Sequence, residues 1–243
     1  MSKTLFLVTS AMSVSTGDFT QRFAETLSTI NSINNKFKNC DIWVLESGRP
    51  IEDKALKYFP PNVRVITFWK DSNVIGFMED ATKYADDQVK KYIQPTWKGF
   101  YLNYIKNVTE SYVIDQVLNS NDFSQYSRIF KLSGRYCLSP NFDPQLYIEK
   151  NKFTAYKAVK TNQRKSSIDH FYLCFLWSCC GEEIDMLKNL FKSVKKDVRE
   201  YLDKREFIDI EHALYLNLTD DKKHEINALG IYAKINGEKW IFV

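Results

Sequence analysis

The stretch Lys131-Leu132-Ser133-Gly134-Arg135-Tyr136 concentrates more chemistry than its neighbours in this 243-residue chain. A mixed apolar run, Ile129 to Ser133, leads into a glycine, an arginine and a tyrosine. In an open α/β sheet, ligands bind beyond the carboxyl ends of the strands. At such an end Gly134 lets the backbone come close to a ligand. Arg135 offers a forked cation matched to phosphate, and Tyr136 a flat face with a polar tip. Alternation along a strand places Lys131, Ser133 and Arg135 on one face. The same residues also describe a strand followed by a turn whose arginine faces solvent, and both readings stand at this point.

A second constellation is Asp209-Ile210-Glu211-His212. A carboxylate or an imidazole on the first turn of a helix suits a general base. Glu211 and His212 point about 100° apart on a helix, so one substrate faces one of them. Glu211 equally suits the positive end of a helix. Thr9-Ser10 and Glu46-Ser47 end two apolar runs, where hydroxyls and a carboxylate fit a nucleoside's base and ribose. They also fit any capped strand–helix junction. Asp169-His170 is a further polar pair, with a structural role open to it as well.

The elements that must carry these residues follow from periodicity. Thr4 to Ser10 and Cys40 to Leu45 are short apolar runs that predict buried strands, and Val63 to Trp69 predicts a third strand. Between the first two, Phe23, Leu27, Ile30 and Ile33 recur at helical spacing, with Asp18 and Gln21 as a capping box. A short helix over Ile51 to Tyr58 precedes the third strand. This β-α-β-α-β order predicts a mostly parallel sheet wrapped by helices. Residues 70–96 read as a helical insertion, Trp97 to Leu118 as a helix, and Ser127 to Cys137 as one strand. Further strands are expected over Asn151 to Lys160 and His170 to Cys180. Helices are expected from Ile184 and over Ile208 to Leu218, and a strand-rich tail turns at Asn236-Gly237. The absence of repeats and linkers predicts one domain over 1–243, with a nucleotide-binding half (1–125) and an acceptor and catalytic half (126–243).

Several function classes are excluded. There is no GxGxxG after the first strand, no GxxxxGK[ST], no GxSxG and no HExxH. Three histidines leave little room for a histidine-built metal centre. The net charge of +4 is spread out, which argues against a nucleic-acid surface. The basic run Lys192 to Arg199 reads as a solvated helix face. The five cysteines show no CxxC pair or zinc spacing; Cys40, Cys137 and Cys174 read as buried apolar side chains, and the odd count points to a reducing compartment. Without a secretory h-region or an 18-residue apolar run, the expected setting is cytoplasmic, with no membrane span, and the sequons at Asn107 and Asn217 are irrelevant there. The aromatic content of 15% divides into core rings and rings available for a cleft, the latter being Tyr136, Trp97, Phe100, Tyr101 and Trp240.

LFLVTSA (Leu5 to Ala11), QRFAETLSTINSI (Gln21 to Ile33), IWVLESG (Ile42 to Gly48), KNVTE (Lys106 to Glu110), FKLSGRY (Phe130 to Tyr136), IEHALY (Ile210 to Tyr215) and LGIYAKINGEKW (Leu229 to Trp240) run in order through nearly the whole chain. Together they resemble GT-A-type glycosyltransferase-like proteins of phage, viral and bacterial surface-glycan genes. The resemblance implies a GT-A-like, Rossmann-like α/β fold with a C-terminal strand-rich segment. It also implies a nucleotide-sugar donor, a UDP- or GDP-sugar, bound at the carboxyl end of the sheet, and a glycan acceptor. Thr9, Ser10 and Glu46 would meet the nucleoside; Arg22 and Lys106 would approach the diphosphate. Where such enzymes place an Asp-x-Asp that holds Mn²⁺ or Mg²⁺, this chain has Ser133-Gly134-Arg135. The expectation is therefore a reaction that requires no metal, with Arg135 aided by Lys131 or Lys106 in its place. Glu211 would be the acceptor's base in an inverting reaction, with His212 its rival. Loss of the Asp-x-Asp also fits the alternative, a catalytically inactive domain that binds a nucleotide or a glycan.

Overall fold

The computed structural model describes residues 3–12, 18–77, 79–80, 97–160, 168–204, 208–235 and 238–242, with backbone alone at 97–104, 202–203, 234–235 and 238–242. Strand β1 (Lys3–Ser10) leads through a loop to helix α1 (Phe19–Lys36), then β2 (Cys40–Glu46), the short α2 (Asp53–Leu56) and β3 (Val63–Thr67). The long helix α3 (Trp97–Ser120) returns the chain to β4 (Tyr126–Ser133), which lies parallel to β1 on the side away from β2. Four strands follow before β9 (Leu176–Cys180): β5 (Tyr136–Leu138), β6 (Phe153–Tyr156), and β7 (Val159–Lys160) with β8 (His170–Phe171), the last two pairing only with each other. Helices α4 (Ile184–Asp203) and α5 (Ile210–Asn217), then β10 (Lys223–Ile226), β11 (Ile231–Ile235) and β12 (Glu238–Phe242), end the chain.

The central sheet has seven strands in the order β10-β6-β9-β4-β1-β2-β3. It is parallel apart from β9, which runs antiparallel to both its neighbours. The α/β class with a mostly parallel, helix-flanked sheet is thus present. Alternation along β1 explains why it is apolar throughout. Leu5 and Leu7 enter a core with Val113 and Val117 of α3 and Phe191 and Val194 of α4. Phe6 and Val8 enter a second core with Ile30 and Ile33 of α1. A sheet covered on both faces needs continuous apolar strands, and these sequences supply them. The strand order reverses between β1 and β4, and open α/β sheets place ligands in the crevice outside the carboxyl ends of the strands at such a point.

Local sequence accounts for the element boundaries. Asp18 caps α1, accepting from Thr20 N at 2.8 Å, while Gln21 turns to Glu25 instead of completing a reciprocal box. The run from Ser127 to Cys137 is two strands, not one. Gly134 N donates to Thr9 O at 2.8 Å, and the chain turns at Gly134-Arg135 to leave the main sheet. There β5 joins an antiparallel three-stranded sheet with β11 and β12, the expected strand-rich C-terminal segment. The stretch from His170 to Cys180 also divides, because residues 174–175 form a turn whose carbonyls accept from β4, Cys174 O from Lys131 Nζ and Phe175 O from Ser133 N. The basic run on α4 is not purely solvated: Lys195 pairs with buried Asp115 and Arg199 with Asp80 at 3.0 Å. Asn107 is buried. Among the described residues, no helix is long and apolar enough to cross a membrane. The turn at Asn236-Gly237, most of the 70–96 insertion and the side chains of Trp97, Phe100, Tyr101 and Trp240 lie outside the described residues.

Candidate functional site

The carboxyl ends of β1 and β4 meet one turn of α3 in a network of ionic side chains. Lys131, on β4, is fully buried. Its ammonium donates to Glu110 Oε1 at 2.7 Å, Ser133 Oγ at 2.9 Å and the Cys174 carbonyl at 2.8 Å. Three donors meet three acceptors, so the charge is matched and the hydrogen-bonding capacity is spent. Glu110 Oε1 also accepts from Thr9 Oγ1 at 2.9 Å. Thr9, Glu110, Lys131 and Ser133 thereby tie β1, α3 and β4 together at the topological switch point.

Burial acts to raise the Glu110 carboxyl's pKa, but Lys131 and Lys106 outweigh it and bring it down to about 2. Lys131 is desolvated too, and the Glu110 carboxylate more than compensates, leaving its pKa raised. Lys106 stands one helical turn before Glu110 on α3 and is exposed. Protein crowds its ammonium on the cluster side, which acts to lower its pKa. The carboxylates of Glu110 and Glu211 outweigh that crowding and raise it.

Glu211 reaches the same cluster from the first turn of α5, accepting from Cys174 Sγ at 3.0 Å. Burial, with the Asp209 charge next, raises its pKa, while Lys106 pulls the other way. His212, its neighbour in sequence, turns into the core: its ring meets Asp209 Oδ1 at 2.5 Å and lies 5.3 Å from Phe171. The 100° between successive helical residues separates the two. Asp209 itself caps α5, accepting from His212 N at 2.9 Å.

The remaining expected residues spread around this network. Arg135 is exposed in the turn after β4, so strand alternation does not carry it onto the face of Lys131 and Ser133. Gly134 makes its close approach to the chain itself: a Cβ there would stand 3.1 Å from Thr9 O and 3.3 Å from Thr26 Oγ1. Tyr136 is buried and stacks on Phe175 with centroids 4.5 Å apart. Ser10 Oγ lies 3.3 Å from Thr26 Oγ1, and its carbonyl receives Ser47 N and Oγ. Glu46 is buried, binding Met12 N with both oxygens and Gly48 N at 2.7 Å. Arg22 donates to the Ala11 carbonyl at 3.0 Å. Glu46 and Arg22 thus brace the loops that follow β2 and β1. Asp169 is exposed and pairs with His170 Nδ1 at 2.8 Å, on the short β8 strand.

Two members of the cluster carry no expectation from sequence. Glu110 is legible only as the i+4 partner of Lys106 on a helix. Cys174 reads as a small apolar residue, and its thiol is indeed buried and held well above its usual pKa by burial.

The donor set does not suit a divalent cation. Mg²⁺ and Mn²⁺ take hard oxygen ligands, typically carboxylates. Here Glu110 is committed to a lysine and a threonine, and three cations stand around two carboxylates. Among the described residues, no group of three or more His, Cys, Asp or Glu could hold a metal.

A recess of about 440 Å³ lies at the opposite, amino-terminal end of the sheet, lined by Lys3, Asn34, Phe37, Cys40, Asp41 and Asn62. Its polar groups satisfy one another, Lys3 with Asp41 at 2.7 Å and Asn62 with Asn34 at 2.8 Å, and the ionic cluster is at the other pole.

No family model and no curated protein matches the chain. Among solved structures, the apo crystal structure of mouse xyloside xylosyltransferase 1 is similar at 10% identity and a TM-score of 0.45, over 93% of this chain and 84% of that one.

Proposed function

We propose that the protein transfers a sugar from a nucleotide-sugar donor to a glycan or other hydroxyl acceptor, in the crevice between the carboxyl ends of β1 and β4. The observation that carries this reading is the ionic cluster at that switch point, with exposed Lys106 and Arg135 beside a carboxylate, Glu211, of raised pKa. The order of segments resembling GT-A-type glycosyltransferases agrees with it.

In the transfer, the bond between the anomeric carbon and the diphosphate oxygen breaks, and a bond from the acceptor oxygen to that carbon forms. Negative charge grows on the leaving nucleotide, and cations fixed in advance stabilise it, at roughly 3–4 kcal/mol of barrier for one donor. In an inverting reaction the acceptor's hydroxyl proton passes to Glu211, and a carboxylate with a raised pKa is the stronger base. Thr9 and Ser10 line the floor at the end of β1, where a nucleoside would lie.

The test is release of nucleotide from a panel of UDP-, GDP- and CMP-sugars with mixed saccharide acceptors. At least one donor is expected to turn over, and Glu211→Gln to slow it by about 100-fold or more. Binding across the panel without release would establish the alternative, an inactive nucleotide- or glycan-binding domain, for which the missing Asp-x-Asp speaks.

A further inference from the structure

The two lysines of the cluster are in opposite states. Lys131 is enclosed, and its three donors are committed to Glu110, Ser133 and the Cys174 carbonyl. It has no hydrogen left to offer a ligand. Lys106, four residues before Glu110 on the same helix, is an exposed residue whose ammonium is crowded by protein on the cluster side. Arg135 is exposed two residues beyond Ser133, the residue that Lys131 grips.

We propose that Glu110 is a positioning residue: it locks Lys131 as a buried strut under the end of β4, leaving Lys106 and Arg135 as the cation pair that receives the donor's diphosphate without a divalent ion. This rests on the reading of the crevice as a nucleotide-sugar site and adds which groups hold the phosphates and what aims them. The aim comes through a short chain of contacts. Glu110 fixes Lys131, Lys131 fixes Ser133 and the 174–175 turn, and the Gly134-Arg135 turn leaves directly from Ser133. Gly134 is itself pinned by its hydrogen bond to Thr9 O. Arg135 and Lys106 differ usefully, the first a planar fork for two phosphate oxygens and the second a point charge.

The isosteric substitution Glu110→Gln separates positioning from simple electrostatics. It removes a negative charge from the crevice, so an electrostatic role alone predicts tighter anion binding. A positioning role predicts weaker binding despite the added positive charge.

The experiment is calorimetric titration of inorganic pyrophosphate, UDP and GDP into the full chain, in excess EDTA and again with Mg²⁺ or Mn²⁺. We expect at least one nucleoside diphosphate and pyrophosphate to bind in EDTA within about threefold of the affinity with metal. Lys106→Met and Arg135→Ala should each weaken binding by about tenfold or more, the size of one charged hydrogen bond. Both residues are exposed, so unchanged melting curves will show that the fold is intact. Glu110→Gln should weaken binding as well. Diphosphate binding that appears only with metal overturns this inference while leaving sugar transfer standing. Tighter binding by Glu110→Gln, or no binding in either condition, also overturns it. Failure of the transfer reading would instead show as diphosphate binding without turnover of any donor.

Discussion

Lys131→Met keeps the length of the side chain and takes away its ammonium. Glu110 Oε1, Ser133 Oγ and the Cys174 carbonyl each lose a donor. Glu110 then stays, 10% exposed, with Thr9 and the neighbouring Lys106 to compensate its charge. Removing one partner of a buried pair destabilises a protein by about 3–5 kcal/mol. The carboxyl's own pKa gives a second measure. Its fall from 4.5 to about 2 corresponds to about 3 kcal/mol, shared among Lys131, Lys106 and the hydrogen bonds. In urea, with a slope of about 3 kcal/mol/M, the unfolding midpoint should drop by roughly 1–1.7 M. Lys131→Met with Glu110→Leu removes both charges and should recover much of the loss. The pair also has a pH signature. Because the folded pKa of Glu110 lies below its unfolded value, its contribution is present above pH 4.5 and is lost as pH falls from there toward 2. Glu110→Gln should flatten that part of the acid unfolding curve. A midpoint shift below about 0.3 M for Lys131→Met, worth under about 1 kcal/mol, would refute the assignment of the pair as the brace of the crevice.

Three glycines should rank sharply under alanine substitution in thermal melts. Gly181→Ala puts a Cβ 1.7 Å from Tyr126 O and should be the most damaging. Gly134→Ala, at 3.1 Å from Thr9 O, should cost about 1–3 kcal/mol, and Gly76→Ala, with nothing within 4 Å, should be neutral or stabilising. All five cysteines are buried thiols outside any disulfide, and burial pushes the thiols of Cys40 up to about 11 and Cys179 up to about 12. A thiol reagent at pH 8 should therefore label the native protein slowly and all five sites only after unfolding. If Glu211 is the base, the acidic limb of the kcat/KM profile should fall at a pH above 4.5, because burial raises its pKa, and Glu211→Gln should abolish that limb. A limb at or below 4.5 would assign the role elsewhere.

β1 and β2 were readable because each is a largely apolar run closed by polar residues, whereas β3, with Arg64 inside it, is a part-exposed edge strand. Thr4 to Ser10 and Cys40 to Leu45 match β1 and β2 to within a residue or so. Reading failed where long-range contacts decide local structure. Gly134-Arg135 allowed a turn as one of two local readings of Ser127 to Cys137; the contact that fixes it comes from Thr9 O, a residue over a hundred positions earlier. The turn at 174–175 likewise depends on Lys131 reaching a carbonyl. Of the site, Lys131, Ser133, Lys106, Thr9 and Glu211 are brought into one cluster, whereas His212 turns away from it and Asp169 pairs with His170. Glu110 stayed hidden because its meaning lies in the lysine of a different element. A Lys-Glu pair on a helix is most simply a surface pair, and only the packing of α3 against β4 buries it.

The most direct test of the account is a crystal structure of the protein with UDP or GDP bound in the presence of EDTA. The account predicts the nucleoside over Thr9 and Ser10, with the two phosphates between Lys106 and Arg135 and no metal beside them. Nucleotide held elsewhere, such as in the recess beside Lys3 and Asn62 at the other end of the sheet, would contradict it.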